Sequence, residues 1–114
     1  MGAAALDRVF HALADTSRLG MVERLSRGPA SVKELAEPLS MALPSVMKHL
    51  KVLEAGGLVR SEKTGRVRTY RIQPRALAAI DTWIEKRRAA YDAQFDRLAQ
   101  MLADDDARPR RTTR

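Results

Sequence analysis

LPSVMKHLKVLEAGGLVRSEKTGRVRTY, residues 43–70, decides how the rest of the chain is read. At about 100° of rotation per residue, Val46, Leu50 and Leu53 fall on one helical face. Pro44, Lys48 and Lys51 gather on the opposite one. Such a helix packs its apolar face against neighbours and leaves its cationic face to solvent. Gly56-Gly57 stops it, because glycine enters the left-handed region without a side-chain clash. Beyond the stop, residues 58–62 and 67–72 read as strands, and Thr64-Gly65 supplies the turn between them.

The charge distribution points to the same stretch. The chain has 114 residues and a net charge of +7. Residues 1–40 carry five basic and five acidic side chains, and residues 76–114 carry eight against seven. Residues 41–75 carry eight against two, so six of the seven excess charges lie on the helix and hairpin. A local positive field of this kind suits a polyanionic partner. There are no cysteines, which excludes disulfides, thiolate metal sites and thiol redox chemistry. No apolar run approaches the roughly 20 residues that span a bilayer. The start, MGAAALDRVF, lacks a secretory pattern, so a cytoplasmic location without membrane association is expected. No internal repeat is visible.

Working outward toward the start, Leu6, Val9, Phe10 and Leu13 recur at helical spacing, which predicts a first helix over about 4–14. Asp15-Thr16-Ser17 caps a second, with Leu19, Val22 and Leu25 expected to point inward. Gly28-Pro29 ends it. Ser31-Val32-Lys33-Glu34 has the form of a capping box, opening a third helix that runs to about Pro38 and buries Val32, Leu35 and Ala36. Two short helices joined by a brief turn, the second cationic, satisfy the helix-turn-helix pattern. The fold class is therefore mainly α with a small β-hairpin wing: a winged helix-turn-helix.

Pro74 suits the first position of a last helix, expected to reach about Leu102. Leu77, Ile84, Tyr91 and Leu98 recur every seven residues, with Ile80, Phe95 and Leu102 in the neighbouring turns. A domain this small has little left to cover such a seam. The first half is expected to pack on the body. Leu77, Ile84, Tyr91, Phe95, Leu98 and Leu102 are then the expected dimer interface. Asp81 and Arg88 interrupt the heptad and argue against a continuous coiled coil. Residues 1–102 form the expected winged helix-turn-helix domain with its dimerisation helix, and 103–114 a disordered tail.

The segments FHALADTSRL (10–19), SVKELA (31–36) and HLKVLEAGGLV (49–59), followed by Gly65-Arg66 and Tyr70, resemble the bacterial ArsR/SmtB family of winged-helix repressors. The resemblance runs from about Leu6 to Ile72 and implies a homodimer whose terminal helices pair. It implies two recognition helices presented to successive major grooves of a palindromic operator in double-stranded DNA. It further implies repression, often of the repressor's own operon, relieved by an inducer. The family's best-known inducers are metal ions, and here the chain departs. The cysteine motif of the family's third helix would fall on residues 32–36, where no cysteine stands. The site on the last helix needs histidines beside carboxylates, whereas Asp81, Glu85, Asp92 and Asp96 have no histidine among them. The only histidines are His11 and His49. The chain is closest to metal-independent members, with no metal site, no cofactor, and an unidentified small molecule as the candidate inducer.

DNA-facing roles follow position by position. Lys48 is the leading candidate for a base-edge or phosphate contact, with guanine O6/N7 a suitable target. Lys51 shares its face. Pro44 and Ser45 lie where a helix N-terminus favours phosphate. Met47 and Leu43 stand where the family commonly carries polar readers such as Ser and Gln; they offer either apolar contact to thymine methyls or core packing. Arg66 at the turn, with Lys63 and Arg68 beside it, is expected to reach backbone or minor groove. Arg60 and Arg18 are candidate phosphate clamps, although Arg18 could equally pair with Asp15. An enzyme is not expected, since neither a nucleophile with its base nor a phosphate-binding glycine loop is present. The alternative is a nonspecific, nucleoid-type DNA-binding protein, because a basic field is blind to sequence. RNA recognition is disfavoured by the shortage of aromatic stacking platforms.

Overall fold

A computed structural model of the chain describes residues 3–107. Side-chain caps start two of its helices. Asp15 accepts from the Arg18 backbone N–H at 3.0 Å and opens α2, Thr16–Leu25, which follows α1, Ala3–Leu13. Ser31 Oγ accepts from the Glu34 N–H at 3.2 Å while Glu34 Oε1 accepts from the Ser31 N–H at 3.0 Å. This reciprocal box opens α3, Val32–Ala36. Pro38 then tightens the chain into a 3-10 turn over Glu37–Leu39, and Ser40 adopts φ 51°. The third helix is thus one turn of α-helix followed by the tighter form, shorter than its capping box suggested.

The helix at the centre of the reading is α4, Leu43–Ala55. Its end is a Schellman motif, with the Leu58 N–H donating to the Leu53 carbonyl and the Gly57 N–H to the Glu54 carbonyl, both at 3.0 Å. Gly57, at φ +79°, is the left-handed residue. The hairpin that follows is β2, Val59–Thr64, and β3, Val67–Ile72, with Thr64 opposite Val67. The two-residue loop is therefore Gly65-Arg66, one position later than Thr64-Gly65. Gly65 alone has positive φ, the type II′ pattern that matches strand twist.

A third strand was not expected. β1, Ala30–Ser31, pairs antiparallel with β3, placing Ala30 opposite Tyr70 and Ser31 opposite Thr69. The sheet order is β1-β3-β2. The short strand ties the start of α3 to the wing.

Val9, Met21, Leu35, Val46, Leu50, Leu53, Leu58 and Val59 are the large side chains fully withdrawn from water. The apolar face of α4 supplies three of them, as its spacing predicts. Leu19 does not point inward; it is exposed, and Met21 takes the buried place beside Leu25. The 100° step explains the exchange: Met21, Leu25 and the half-buried Val22 share a face that Leu19 overshoots.

Helix α5 spans Pro74–Ala107. Residues up to Ile80 belong to one compact unit and those from Asp81 onward to a second. Within the first unit Ala76 is buried and Ile80 packs against the core, while Leu77 is exposed. Within the second, Ile84, Tyr91, Phe95, Leu98 and Leu102 are exposed, and the Arg87 guanidinium lies 4.9 Å from the centre of the Trp83 ring. The helix does not end near Leu102. It continues through Asp104–Asp106, where Gln100 Nε2 donates to Asp104 Oδ1 at 3.1 Å, an i,i+4 bond that sustains another turn. The remainder of the expected tail, 108–114, lies outside the described residues.

Candidate nucleic-acid interface

The start of α4 has no side-chain cap: Ala42 is extended, and a proline occupies the first turn. Pro44 and Ser45 are exposed there, as are Leu43, Met47, Lys48 and Lys51. Because Val46, Leu50 and Leu53 are drawn into the core, the helix cannot rotate this surface out of view. Met47 and Leu43 are therefore not core residues; they are 52% and 45% exposed.

The wing comes close to the start of this helix. Leu43, the β1–α3 junction at Ser31-Val32-Lys33, and Arg66, Val67 and Arg68 line one open groove of about 330 Å³. Helix start and wing tip are thus neighbours. Lys48, Lys51, Arg60, Lys63 and Arg66 are exposed, and none of their side chains hydrogen-bonds or ion-pairs with a described residue. Arg68 differs: its Nη1 donates to Ser61 Oγ at 2.8 Å, and Ser61 Oγ donates to Glu54 Oε1 at 3.1 Å. This chain of bonds fastens the wing to the end of α4. Sequence reasoning passed over Ser61 and Glu54, because their link exists only once hairpin and helix are packed. Arg71 Nη2 lies 3.9 Å from Glu62 Oε2. The two acidic groups of this stretch, Glu54 and Glu62, therefore face the wing's own donors, and the lysines of α4 keep their charge free.

Arg18 is placed otherwise. Its Nε donates to the Ala12 carbonyl at 2.6 Å, its Nη2 approaches the His11 carbonyl at 3.5 Å, and its Nη1 lies 3.3 Å from His49 Nδ1. The guanidinium thus caps the end of α1 and meets α4. Its backbone N–H donates to Asp15, and that bond, helped by the nearby guanidinium charge, holds the Asp15 carboxyl below its ordinary value against the opposing effect of burial. A guanidinium only donates, so His49 Nδ1 is the acceptor. His49 Nδ1 also lies 3.8 Å from Asp15 Oδ2. His11 contributes its carbonyl here, not its ring. Bonds from the Ser31 backbone and hydroxyl likewise hold Glu34 below the usual carboxylate range. Burial pushes the Tyr70 hydroxyl up, with the Glu54 carboxylate adding to it.

Free cations on a helix and on a hairpin tip, with exposed apolar side chains beside them, give this side of the chain a local positive field. No helix among the described residues is long and apolar enough to cross a membrane.

Comparison with known proteins agrees with this reading. Residues 13–62 match a family described as a helix-turn-helix domain. The HTH-type transcriptional regulator Rv2034 of Mycobacterium tuberculosis is 44% identical over 80 residues, which cover 70% of this chain and 75% of that protein. The crystal structure of the ArsR family transcriptional regulator RHA00566 superposes with a TM-score of 0.75 at 43% identity, covering 81% of this chain and 95% of the other. The homodimeric winged helix-turn-helix DNA-binding domain of Mb0332 from Mycobacterium bovis has a TM-score of 0.63 at 27% identity, over 77% of this chain and 84% of that one. With the capped helices, the Schellman stop, the wing and these relatives in agreement, the chain belongs to the ArsR/SmtB family of helix-turn-helix transcriptional regulators.

Proposed function

We propose that the chain is a homodimeric, sequence-specific repressor that binds a palindromic operator, acts on its own operon and carries no metal-sensing site. The observation that carries this is the nearness of the α4 start to the wing tip, with the side chains of Lys48, Lys51, Lys63 and Arg66 exposed and unpaired. Helix α4 enters the major groove, where Lys48 donates to base edges, guanine O6/N7 foremost. Pro44 and Ser45 bring the uncapped helix start to a phosphate. Arg66 and Lys63 at the wing, supported by Arg68 and with Arg60 at its base, hold the flanking backbone or minor groove. Arg18 serves this surface from behind, by fixing α1 and α4 to one another.

Dimerisation is supported by the exposed apolar residues Ile84, Tyr91, Phe95, Leu98 and Leu102, with Leu77 nearer the core, and by a relative described as homodimeric. Metal independence is supported by the lack of any cysteine and of any histidine on α5. An inducer, on this reading, is an unidentified small molecule. The residues act from the cytoplasm on DNA and perform no bond-making chemistry.

Sequencing the genomic fragments that the purified protein retains tests the reading. A dyad-symmetric motif upstream of its own gene is the expected result. Fragments scattered without a shared motif would instead identify a nucleoid-type coating protein, the reading that the sequence-blind part of the charge supports.

A further inference from the structure

Leu43 and Met47 stand four residues apart on the flank of α4 between its buried and its cationic faces, each about half exposed, and Val67 on the wing, 53% exposed, lines one groove with Leu43. Their neighbours Lys48, Lys51 and Arg66 carry unpaired charge. An exposed apolar strip beside a cationic face does not fit a purely phosphate-binding surface, since phosphate contacts need donors. The major groove of DNA offers one apolar feature at the base edges, the C5-methyl group of thymine. Side chains at i and i+4 lie one above the other on a helix, so they meet neighbouring base steps rather than a single base.

We propose that Leu43 and Met47 read C5-methyl groups, so that each half of the bound site contains thymines at the positions facing the first turns of α4. This rests on the DNA-binding reading above and names what that surface selects. It has a chemical consequence. A methyl reader does not distinguish thymine from 5-methylcytosine by the methyl itself, but does distinguish either from uracil or unmodified cytosine.

The test uses the full chain and duplexes selected from a random-sequence library. Selected sites are resynthesised with single thymines replaced by deoxyuridine, which removes only the methyl and keeps every hydrogen-bonding group. Affinity is expected to fall about fourfold for each contacted methyl, and about 16-fold when the same position is changed in both half-sites. At the same positions a 5-methylcytosine·guanine pair binds better than cytosine·guanine. Leu43→Ala with Met47→Ala binds the thymine duplex more weakly and no longer responds to deoxyuridine. Both side chains are exposed, so an unchanged melting midpoint shows that the variant is folded. If the protein selects a site whose affinity is unchanged by deoxyuridine throughout, the methyl proposal is overturned while the DNA-binding reading stands. If no duplex is selected at all, both fall.

Discussion

Gly56 and Gly57 sit side by side and answer to different constraints. A Cβ on Gly56 would lie 2.8 Å from the Ala12 Cβ and 3.1 Å from the Arg8 carbonyl, so its bareness lets α1 and α4 approach. A Cβ on Gly57 meets nothing within 4 Å, and there the demand is the left-handed backbone. Gly56→Ala is expected to destabilise by about 1–3 kcal/mol through overpacking. Gly57→Ala is expected to cost about 1 kcal/mol through backbone strain. Gly20→Ala, inside α2 with only Leu39 Cδ2 at 3.9 Å, should instead stabilise by about 0.5–1 kcal/mol. Urea midpoints order the three, and a Gly56→Ala as mild as Gly20→Ala contradicts the close helix approach. The stop itself was readable from the doubled glycine. The division of labour was not, because Ala12 is more than forty positions away in sequence and only the fold brings it near. Arg18 teaches the same lesson. Its carbonyl acceptors appear only where α1 ends, so a residue read as a candidate phosphate clamp is a helix-joining one. Arg18→Met should therefore lower the melting midpoint, whereas Arg66→Ala should leave it unchanged and reduce DNA affinity.

Among elements, those defined by local chemistry were legible and those defined by pairing were not. The box at Ser31 and Glu34, the cap at Asp15, the apolar face of α4 and both wing strands follow from neighbours within a few residues. β1 is two residues long, too short to alternate, and exists only because Ala30 and Ser31 find Tyr70 and Thr69. The far end of α5 was missed because three consecutive aspartates read as a solvated tail. The two caps also set an acid response. Asp15 and Glu34 are both held below their ordinary values, so the folded chain binds fewer protons than the unfolded chain in that range. Their stabilisation is fully present above the unfolded pKa values and is lost as pH falls through the folded ones. Melting midpoints followed downward from neutral pH should hold until about pH 4–5 and then decline. Glu34→Gln should flatten part of that decline, and an identical acid limb would show that the box does not contribute. Ser31→Ala should cost about 1 kcal/mol at neutral pH.

For the whole molecule, the proposal requires two copies. Ile84→Asp and Leu98→Asp, each placing a charge on the apolar row of α5, should yield monomers with poor operator affinity in sedimentation and binding assays. A dimer that persists in both would move the interface elsewhere. With about 6–10 phosphate contacts per dimer, affinity should fall by roughly three to five decades between about 50 and 200 mM salt. Lys48→Ala should weaken the selected site more than random duplex, whereas equal loss on both would make Lys48 a backbone contact. Hydroxyl-radical footprinting of the retained duplex addresses the paired geometry most directly. It should show two protected blocks related by a dyad, about 10 base pairs apart centre to centre. A single block, or even protection along the whole fragment, would contradict it.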